Sequence, residues 1–444
     1  MLKIAFHTLG CKVNSYETEA IWSLFAKKGY QRVPFSELAD VYVIQTCTVT
    51  NMGDQKSRQS IRKAIRTNPA AVVAVTGCYS QTSPQEVAAI PGVDIVVGTQ
   101  GRERLVELVE KVRGTRGQIV EVGNIRKQRS LEALPVPTFS GKTRAFLKIQ
   151  DGCDLCCTYC IIPWAKGPSR SQAPERVVAE ARELVDQGYR EIVLTGIHTG
   201  GYGDDLQDYG LFDLLRDLSA LRGLARLRVS SIEMNQVTPR IIDMLKGNRI
   251  FCRHLHIPVQ SGHDDILRRM RRRYTVTAYR KKIEDLYVAI PGLALTTDVI
   301  VGFPGETDEH FEDTYRLLKD LSFTRLHVFP YSMRQKTPAA RMDQQVDSMV
   351  KRERVQALLE LSQELSLTYA KRCVGEVHTV IPEQRRKGEH LMGYTDTYLQ
   401  VDFPAHSELV GRLCRVRIDR ADAVCSTGTL VRVLEDDCGS RSLA

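Results

Sequence analysis

The sequence lacks any apolar run approaching eighteen residues, the length from which a membrane-spanning helix is expected. The first residues also lack the long apolar segment and the small-residue cleavage site of a secretory signal. We therefore predict a cytoplasmic protein with no membrane partner. In a reducing cytoplasm, the 12 cysteines indicate metal-binding or catalytic groups in place of disulfides.

Chain length and net charge limit the number of domains and the class of partner only broadly. A chain of 444 residues is long enough for two or three domains. The formal net charge of +9 is compatible with a polyanionic partner such as RNA, but a moderate charge is weak support for one.

Three cysteines within residues 152–163 stand in the spacing C-x3-C-x2-C: Cys153, Cys157 and Cys160. A structural zinc site normally closes with four protein ligands, whereas three thiolates can hold a [4Fe–4S] cluster that keeps one iron open. The alternative is a chance run of buried thiols. Cys156 allows a second register, C-x2-C-x3-C, but we prefer the first because it puts Tyr159 directly before the last ligand.

This motif, C-x3-C-x-aromatic-C, resembles the signature of the radical S-adenosylmethionine (SAM) enzymes. The resemblance implies that Cys153, Cys157 and Cys160 are the cluster ligands and that Tyr159 lies near the adenine of SAM. It also implies that the open iron binds the amino and carboxylate groups of SAM, and that an electron from the cluster cleaves SAM to a radical.

The first 113 residues alternate between strand and helix patterns, which predicts an α/β domain. Each of three strands, at residues 2–8, 41–45 and 71–76, runs into a cysteine: Cys11, Cys47 and Cys78. Ligand sites in open α/β sheets gather at the carboxyl ends of strands. We therefore expect a second three-cysteine iron–sulfur site here; the alternative is three independent buried cysteines.

After a linker at residues 114–141, residues 142–370 carry six strand–helix units, which predict a partial or full parallel barrel with its chemistry at the strand ends. The predicted strands cover residues 145–149, 191–195, 226–231, 254–259, 294–301 and 325–329. Polar or glycine-rich segments follow several of them and indicate a common pocket. The dense basic run at residues 268–273 is either a solvated helix face or a contact for phosphates.

In residues 371–436 apolar and polar residues alternate with a period of two. The alternating segments are 377–382, 392–403, 412–418 and 427–433, which predict a small antiparallel β-barrel. Such barrels often hold RNA with basic and aromatic side chains, although a plain packing domain is the alternative. The candidate RNA contacts are Arg385, Arg386, Lys387, Tyr394, Tyr398, Arg415 and Arg417.

Nearly the whole chain resembles the radical SAM methylthiotransferases, which combine a three-cysteine N-terminal domain, a radical SAM core and a C-terminal TRAM β-barrel. Residues 9–17 (LGCKVNSYE), 329–332 (FPYS) and 337–340 (TPAA) are similar to the branch that acts on N6-threonylcarbamoyladenosine in tRNA. Gln335 and Lys336 depart from the glycine usual before Thr337, a change expected to alter that loop without touching the cysteines.

The resemblance implies methylthiolation of C2 of N6-threonylcarbamoyladenosine-37 in the anticodon stem-loop of tRNA, with two [4Fe–4S] clusters and two molecules of SAM. Cys11, Cys47 and Cys78 would hold the auxiliary cluster. The expected SAM contacts, besides Tyr159, are Thr195, Gly196, Ser231, Glu233 and Gln260. The expected partners are tRNA, a sulfur source and an electron donor such as flavodoxin or ferredoxin.

Three alternatives remain at this stage. The substrate is a ribosomal-protein aspartate, or isopentenyladenosine in tRNA, or the chain is a non-catalytic RNA-binding protein stapled by zinc. The other cysteines receive no role: Cys156, Cys252, Cys373, Cys414, Cys425 and Cys438.

Overall fold

A computed structural model describes residues 1–115, 117–132, 134–139, 143–386 and 388–434, with the backbone alone described at 384–386. It contains two parallel α/β units followed by a closed β-barrel, so the predicted fold class is confirmed. None of the helices in these residues is both long and apolar enough to cross a bilayer.

The N-terminal unit is a six-stranded parallel sheet with helices on both faces and strand order β2-β1-β3-β4-β5-β6. Two central strands are buried along their whole length, as their apolar and β-branched sequences predict. The strands are β1 (Lys3–Thr8), β2 (Gln31–Val33), β3 (Val41–Thr46), β4 (Val72–Gly77), β5 (Ile95–Val97) and β6 (Ile119–Glu121). The helices are α1 (Lys12–Lys27), α2 (Asn51–Thr67), α3 (Cys78–Thr82), α4 (Pro84–Ala88) and α5 (Leu105–Thr115).

Six parallel strands form the central unit, arranged as the sheets β11-β10-β7 and β12-β13-β14. Isolated parallel bridges from Leu227 to Phe251 and from Ser231 to His256 join the two sheets, so the six strands make a partial (β/α)6 barrel. Within the described residues no pairing joins β7 to β14, and the barrel is open on that side. The strands are β7 (Arg144–Lys148), β8 (Gln150–Asp151), β9 (Arg170–Ser171), β10 (Glu191–Thr195), β11 (Arg226–Val229), β12 (His254–His256), β13 (Ala294–Val301) and β14 (Arg325–Pro330), of which β8 and β9 form a separate pair.

Helices cover the outside of this barrel, and a long one leads to the last unit. They are α6 (Ile162–Lys166), α7 (Pro174–Asp186), α8 (Leu211–Ser219), α9 (Pro239–Gly247), α10 (Asp264–Arg269), α11 (Val276–Ala289), α12 (Asp308–Asp320) and α13 (Ser348–Arg372). One continuous core joins the strands to the apolar faces of α7, α8, α9, α11, α12 and α13, whereas Ile266 of α10 belongs to a separate cluster with Phe303.

The C-terminal unit is a closed five-stranded barrel in the order β15-β16-β17-β19-β18. Its strands are β15 (Val377–Arg386), β16 (His390–Thr395), β17 (Gln400–Pro404), β18 (Cys414–Arg420) and β19 (Ser426–Val433). The predicted alternating segment 392–403 is divided into two strands by a turn in which Tyr398 is left-handed, with φ +64°. The side chains of Arg385 and Arg386, all of Lys387, residues 435–436 and Cys438 lie outside the described residues.

Two arginines dock the C-terminal barrel onto the central unit. Arg226 and Arg228 both pair with the buried Glu191, and their remaining N–H groups donate to backbone carbonyls of the C-terminal barrel, among them those of Tyr394 at 3.1 Å and Asp396 at 2.8 Å. Burial raises the pKa of the Glu191 carboxyl, but the arginines outweigh it and bring that pKa to about 2. Glu191 is therefore ionised at neutral pH and balances one of the two arginine charges.

A buried group of charges joins the N-terminal and central units. One oxygen of Glu17, on α1, accepts hydrogen bonds from Lys148 at 2.7 Å, Lys166 at 2.8 Å and Arg102 at 3.1 Å. Lys148 also donates to Asp151 at 2.6 Å, and Arg102 to Glu132 at 2.8 Å. The group therefore holds three cations and three carboxylates, and it ties α1 to the strand and the helix on either side of the 153–160 loop.

Replacement of Glu17 by Gln is expected to destabilise the protein by about 3–5 kcal/mol, because three buried cations lose the charge they share. The midpoint of urea unfolding, followed by far-UV circular dichroism, measures the loss. Glu107→Gln is the matched control, since Glu107 is 65% exposed in its pair with Arg104 and should change stability by at most about 1 kcal/mol. A Glu17→Gln variant as stable as the control would contradict the structural role of this group.

The contribution of Glu17 to the free energy of unfolding should be lost in acid and kept at neutral pH. Burial acts to raise the pKa of Glu17, but Arg102, Lys148 and Lys166 outweigh it and hold that pKa well below its usual range. The stabilisation is therefore complete above the unfolded value of about 4.3 and is lost as pH falls through the lower folded value. Unfolding midpoints of Glu17→Gln and the unmodified chain should differ by a constant amount between pH 6 and 8 and converge only in acid.

Candidate functional site

The three N-terminal cysteines meet at the carboxyl edge of the first sheet. Cys11 is the N-cap of α1, Cys47 follows β3 directly, and Cys78 is the first residue of α3. Burial is the main cause that raises the pKa of the Cys78 thiol, and the nearby Cys47 and Cys11 raise it further. The structure thus brings together thiols that lie about thirty residues apart in the sequence.

Asn14 and two glycines hold these three loops against one another. The buried Asn14 amide donates to the carbonyls of Leu9 at 2.6 Å and Thr46 at 3.0 Å, which ties the Cys11 loop to the Cys47 loop. Gly10 and Gly77 precede Cys11 and Cys78, and both have φ +102°. A Cβ on Gly77 would lie 2.6 Å from the Thr46 carbonyl oxygen, so this close approach requires glycine.

The second triad lies on the loop after β8. Burial raises the pKa values of Cys153 and Cys160 to about 12, and the charge of Cys157 acts on both thiols in the same direction. Cys156 is exposed, with φ +52°, and is not among the main groups that shift either pKa. This placement favours the register Cys153, Cys157 and Cys160 over the one that includes Cys156.

Both triads fit a multi-iron cluster better than a single ion. A structural zinc ion is normally held by four protein ligands, whereas each triad supplies three thiols. Three thiolates can hold a [4Fe–4S] cluster and leave one iron open for another ligand. Because a buried thiolate is unfavourable without a metal, binding of iron would displace the thiol protons.

Arg272 is a residue at the second triad that sequence reasoning missed. Its guanidinium is almost fully buried, lies 3.5 Å from the Cys157 sulfur and pairs with the Glu233 carboxylate. The basic run 268–273 was expected to face either solvent or phosphates. Arg271, left-handed at φ +59° beyond the end of α10, turns the chain so that Arg272 points inward, whereas Arg268 pairs with Asp265 on the surface. Nothing in a run of arginines distinguishes the inward one.

A cavity of about 690 Å³ occupies the open barrel and reaches both other units. Its lining includes three of the expected SAM contacts, Thr195, Gly196 and Ser231, with Tyr394 and Tyr398 of the C-terminal barrel. Among the six cysteines of the two triads, all within the described ranges, Cys11 alone lines it. The cavity therefore extends from the Cys11 loop to the Thr195–Gly196 and Ser231 strand ends of the barrel.

The remaining expected SAM contacts do not line this cavity. Glu233 faces Arg272, and Tyr159 packs against an apolar cluster around Met270 and Phe303. Gln260 is left-handed at φ +66° and buried, and its side-chain oxygen has no hydrogen-bond partner among the described residues. An unpaired buried oxygen of this kind is costly unless a ligand supplies a donor.

Gln150 connects the second triad to the Thr195–Gly196 strand end. Its amide nitrogen donates to the Gly152 carbonyl at 2.8 Å, and its oxygen accepts from the His198 backbone at 2.8 Å. A Cβ on Gly196 would lie 2.9 Å from that same oxygen. One fully buried amide therefore sets the distance between the cysteine loop and the neighbouring strand end.

Two family models match the chain: the radical SAM superfamily over residues 147–318, and the uncharacterized protein family UPF0004 over residues 3–98. The chain is 53% identical to the threonylcarbamoyladenosine tRNA methylthiotransferase MtaB of Bacillus subtilis (strain 168), over 98% of both chains. It is 35% identical to the tRNA-2-methylthio-N(6)-dimethylallyladenosine synthase of Carboxydothermus hydrogenoformans, over 96% of this chain and 98% of that one.

Among solved structures, the radical SAM methyltransferase TsrM from Kitasatospora setae, with cobalamin and a [4Fe-4S] cluster bound, aligns with a TM-score of 0.57. The alignment covers 87% of this chain and 81% of that chain at 15% identity, so it shows a shared fold alone.

Replacement of Arg272 by Met is expected to lower the midpoint potential of a cluster held by Cys153, Cys157 and Cys160. A positive charge this close favours the more negative reduced state; at an effective dielectric of about 20 its loss costs about 2 kcal/mol, or roughly 90 mV for one electron. Redox titration followed by electron paramagnetic resonance measures the shift. Arg272→Lys keeps the charge and should stay within about 30 mV of the unmodified protein. Equal potentials in Arg272→Met and the unmodified protein, at equal iron content, would exclude this electrostatic role.

Proposed function

The chain belongs to the radical SAM methylthiotransferase family, and we propose that it transfers a methylthio group to C2 of N6-threonylcarbamoyladenosine in tRNA. The observation that carries the proposal is the 53% identity, over nearly the full length of both chains, to a relative named for this reaction. The relative named for dimethylallyladenosine is more distant, at 35% identity. Each site supplies three thiols, one fewer than a closed structural zinc site needs, and this argues against the zinc-stapled alternative.

We assign the [4Fe–4S] cluster that binds SAM to Cys153, Cys157 and Cys160, and the auxiliary cluster to Cys11, Cys47 and Cys78. The chemistry that these groups supply when bound is radical activation of an aromatic C–H bond, which is too strong and too weakly acidic for acid–base catalysis. The protein contributes the placement of the groups and the exclusion of competing reactions.

Several side chains have positioning roles in this proposal. Thr195, Gly196 and Ser231 border SAM in the cavity, and Gln260 offers its unpaired oxygen. Tyr159, within the cysteine loop, is held in place by its apolar neighbours. Glu233 is neutralised by Arg272, so that it presents a paired carboxylate near the sulfurs.

The partners follow from the same assignment. We propose that the anticodon stem-loop of tRNA lies across the open side of the barrel, between the Cys11 loop and the C-terminal barrel. Arg417 is exposed on that barrel, where it pairs with Asp419 at 2.9 Å, and a phosphate contact would have to compete with this pair. A sulfur source and a small electron donor such as flavodoxin or ferredoxin complete the reaction, which we place in the cytoplasm.

After anaerobic reconstitution, replacement of the two cysteine triads should affect iron content and SAM cleavage in different ways. The unmodified chain should hold about eight irons, and alanine at Cys153, Cys157 and Cys160 should remove about half of them and abolish cleavage of SAM after reduction. Alanine at Cys11, Cys47 and Cys78 should also halve the iron but leave SAM cleavage intact. Iron and sulfide analysis and chromatography of the cleavage products measure both quantities.

Cys156→Ala is the matched control and should retain the full iron content and SAM cleavage. Retention of cleavage without Cys153, Cys157 and Cys160 would refute the assignment. Mass analysis of nucleosides from tRNA of a deletion strain tests the reaction itself: the methylthio derivative of threonylcarbamoyladenosine should be missing and should return with the gene. An unchanged nucleoside profile would overturn the proposed function.

A further inference from the structure

Two cations without a charged partner border the cavity from different units. Lys12 begins α1 next to Cys11, and Arg325 begins β14 at the free edge of the barrel. Neither side chain makes an ion pair or hydrogen bond with any residue in the described part of the chain. The Lys12 Nζ lies 5.9 Å from the centre of the Tyr398 ring. The third basic side chain in the lining, Arg144, differs because it pairs with Glu383.

Both positive charges act on the same region of the cavity. Burial is the main cause that lowers the pKa of His327, and His256, Arg325 and Lys12 lower it further against the opposing effect of Asp298. Asp298 is the one carboxylate in the described lining, and it already faces His256 at 3.2 Å. This part of the cavity therefore carries an excess of positive charge suited to an anion.

We propose that Lys12 and Arg325 bind the carboxylate of the threonyl group on the substrate nucleoside and thereby select this substrate. The inference rests on the proposed function. A threonylcarbamoyl substituent ends in a carboxylate, which must find charged donors when it leaves water. A dimethylallyl substituent is a hydrocarbon and offers these two cations no charged acceptor, so that substrate gains nothing from them.

The location suits a group attached to RNA better than one attached to SAM. Arg325 lies on the last strand before the barrel opening, and Lys12 stands beside Tyr398 of the C-terminal barrel at the same opening. The cavity residues assigned to SAM lie on or just after β10 and β11, in the other sheet. A base entering from the open side would meet Lys12 and Arg325 with its N6 substituent.

The test compares two anticodon stem-loops that differ in one charge, one with threonylcarbamoyladenosine and one with its methyl ester. Binding to the reconstituted full-length protein is measured by fluorescence anisotropy. The unmodified protein should bind the acid about tenfold or more tightly than the ester. Lys12→Met and Arg325→Met should each bring this ratio close to one and leave affinity for the ester within about twofold. Lys281→Met, on the exposed face of α11, is the charge-matched control and should keep the ratio.

The outcomes distinguish three anions that Lys12 and Arg325 could bind: the threonyl carboxylate, the RNA phosphates and the carboxylate of SAM. A ratio near one in the unmodified protein would overturn the proposal, as would variants that weaken both stem-loops equally, since that pattern indicates phosphate contacts. Weaker SAM binding with an unchanged ratio would assign the two cations to the carboxylate of SAM and also overturn it. Because Lys12 adjoins Cys11, iron content is measured for each variant, and Lys12→Arg must retain the ratio.

The failure of this inference is distinct from the failure of the proposed function. If the unmodified protein methylthiolates the acid stem-loop but shows no preference for the acid over the ester, the proposed reaction is retained and the proposed carboxylate-binding site is rejected. If it modifies neither stem-loop under conditions where SAM is cleaved, the proposed function falls as well.

Discussion

The arrangement of the two cysteine sites depends on one carboxylate that water does not reach. Glu17 lies about 9 Å along α1 from Cys11, by the helical rise of 1.5 Å per residue over six residues. Two of the three cations it pairs with come from the central unit, Lys148 on β7 and Lys166 at the end of α6, and these elements flank the 153–160 loop. Lys166 also lies close enough to act on the Cys78 thiol. The contacts of Glu17 and Lys166 thus help to fix the positions of Cys11, Cys78 and the cysteines of the 153–160 loop relative to one another.

Such a group specifies geometry more than it adds stability. Burial of ions costs several kcal/mol each, and the mutual attraction of well-placed partners roughly offsets that cost. Replacement of such buried ions by apolar residues of similar size is often neutral or stabilising in proteins. Because Glu17 accepts from three donors at once, a small shift of α1 would break several hydrogen bonds together. This rigidity suits a protein that must hold two redox groups and a base in line.

Local features of the site were predictable from the sequence, and long-range ones were not. The positions of Cys11, Cys47 and Cys78 after buried strands follow from the rule that parallel strands end at one edge, and the barrel order follows from the strand–helix repeats. The short strands β2, β5 and β6 have three residues each, too few for a period to register. Arg272 was misplaced because a left-handed residue, Arg271, decides its direction. Glu17 and Lys148 lie 131 positions apart, and no pattern within either segment indicates their contact.

The loop after β14 contacts the segments that carry two of the N-terminal cysteines. Gln335 and Lys336 were expected to alter this loop without touching the cysteines. Lys336 donates to the Thr82 carbonyl at 2.5 Å, on the helix that begins with Cys78. Arg334 donates to Thr48 and Asp54, both at 2.7 Å, beside Cys47. The central unit therefore supports two of the three loops that carry Cys11, Cys47 and Cys78. Since residues 1–113 alone would lack these contacts, the placement of these thiols depends on both units.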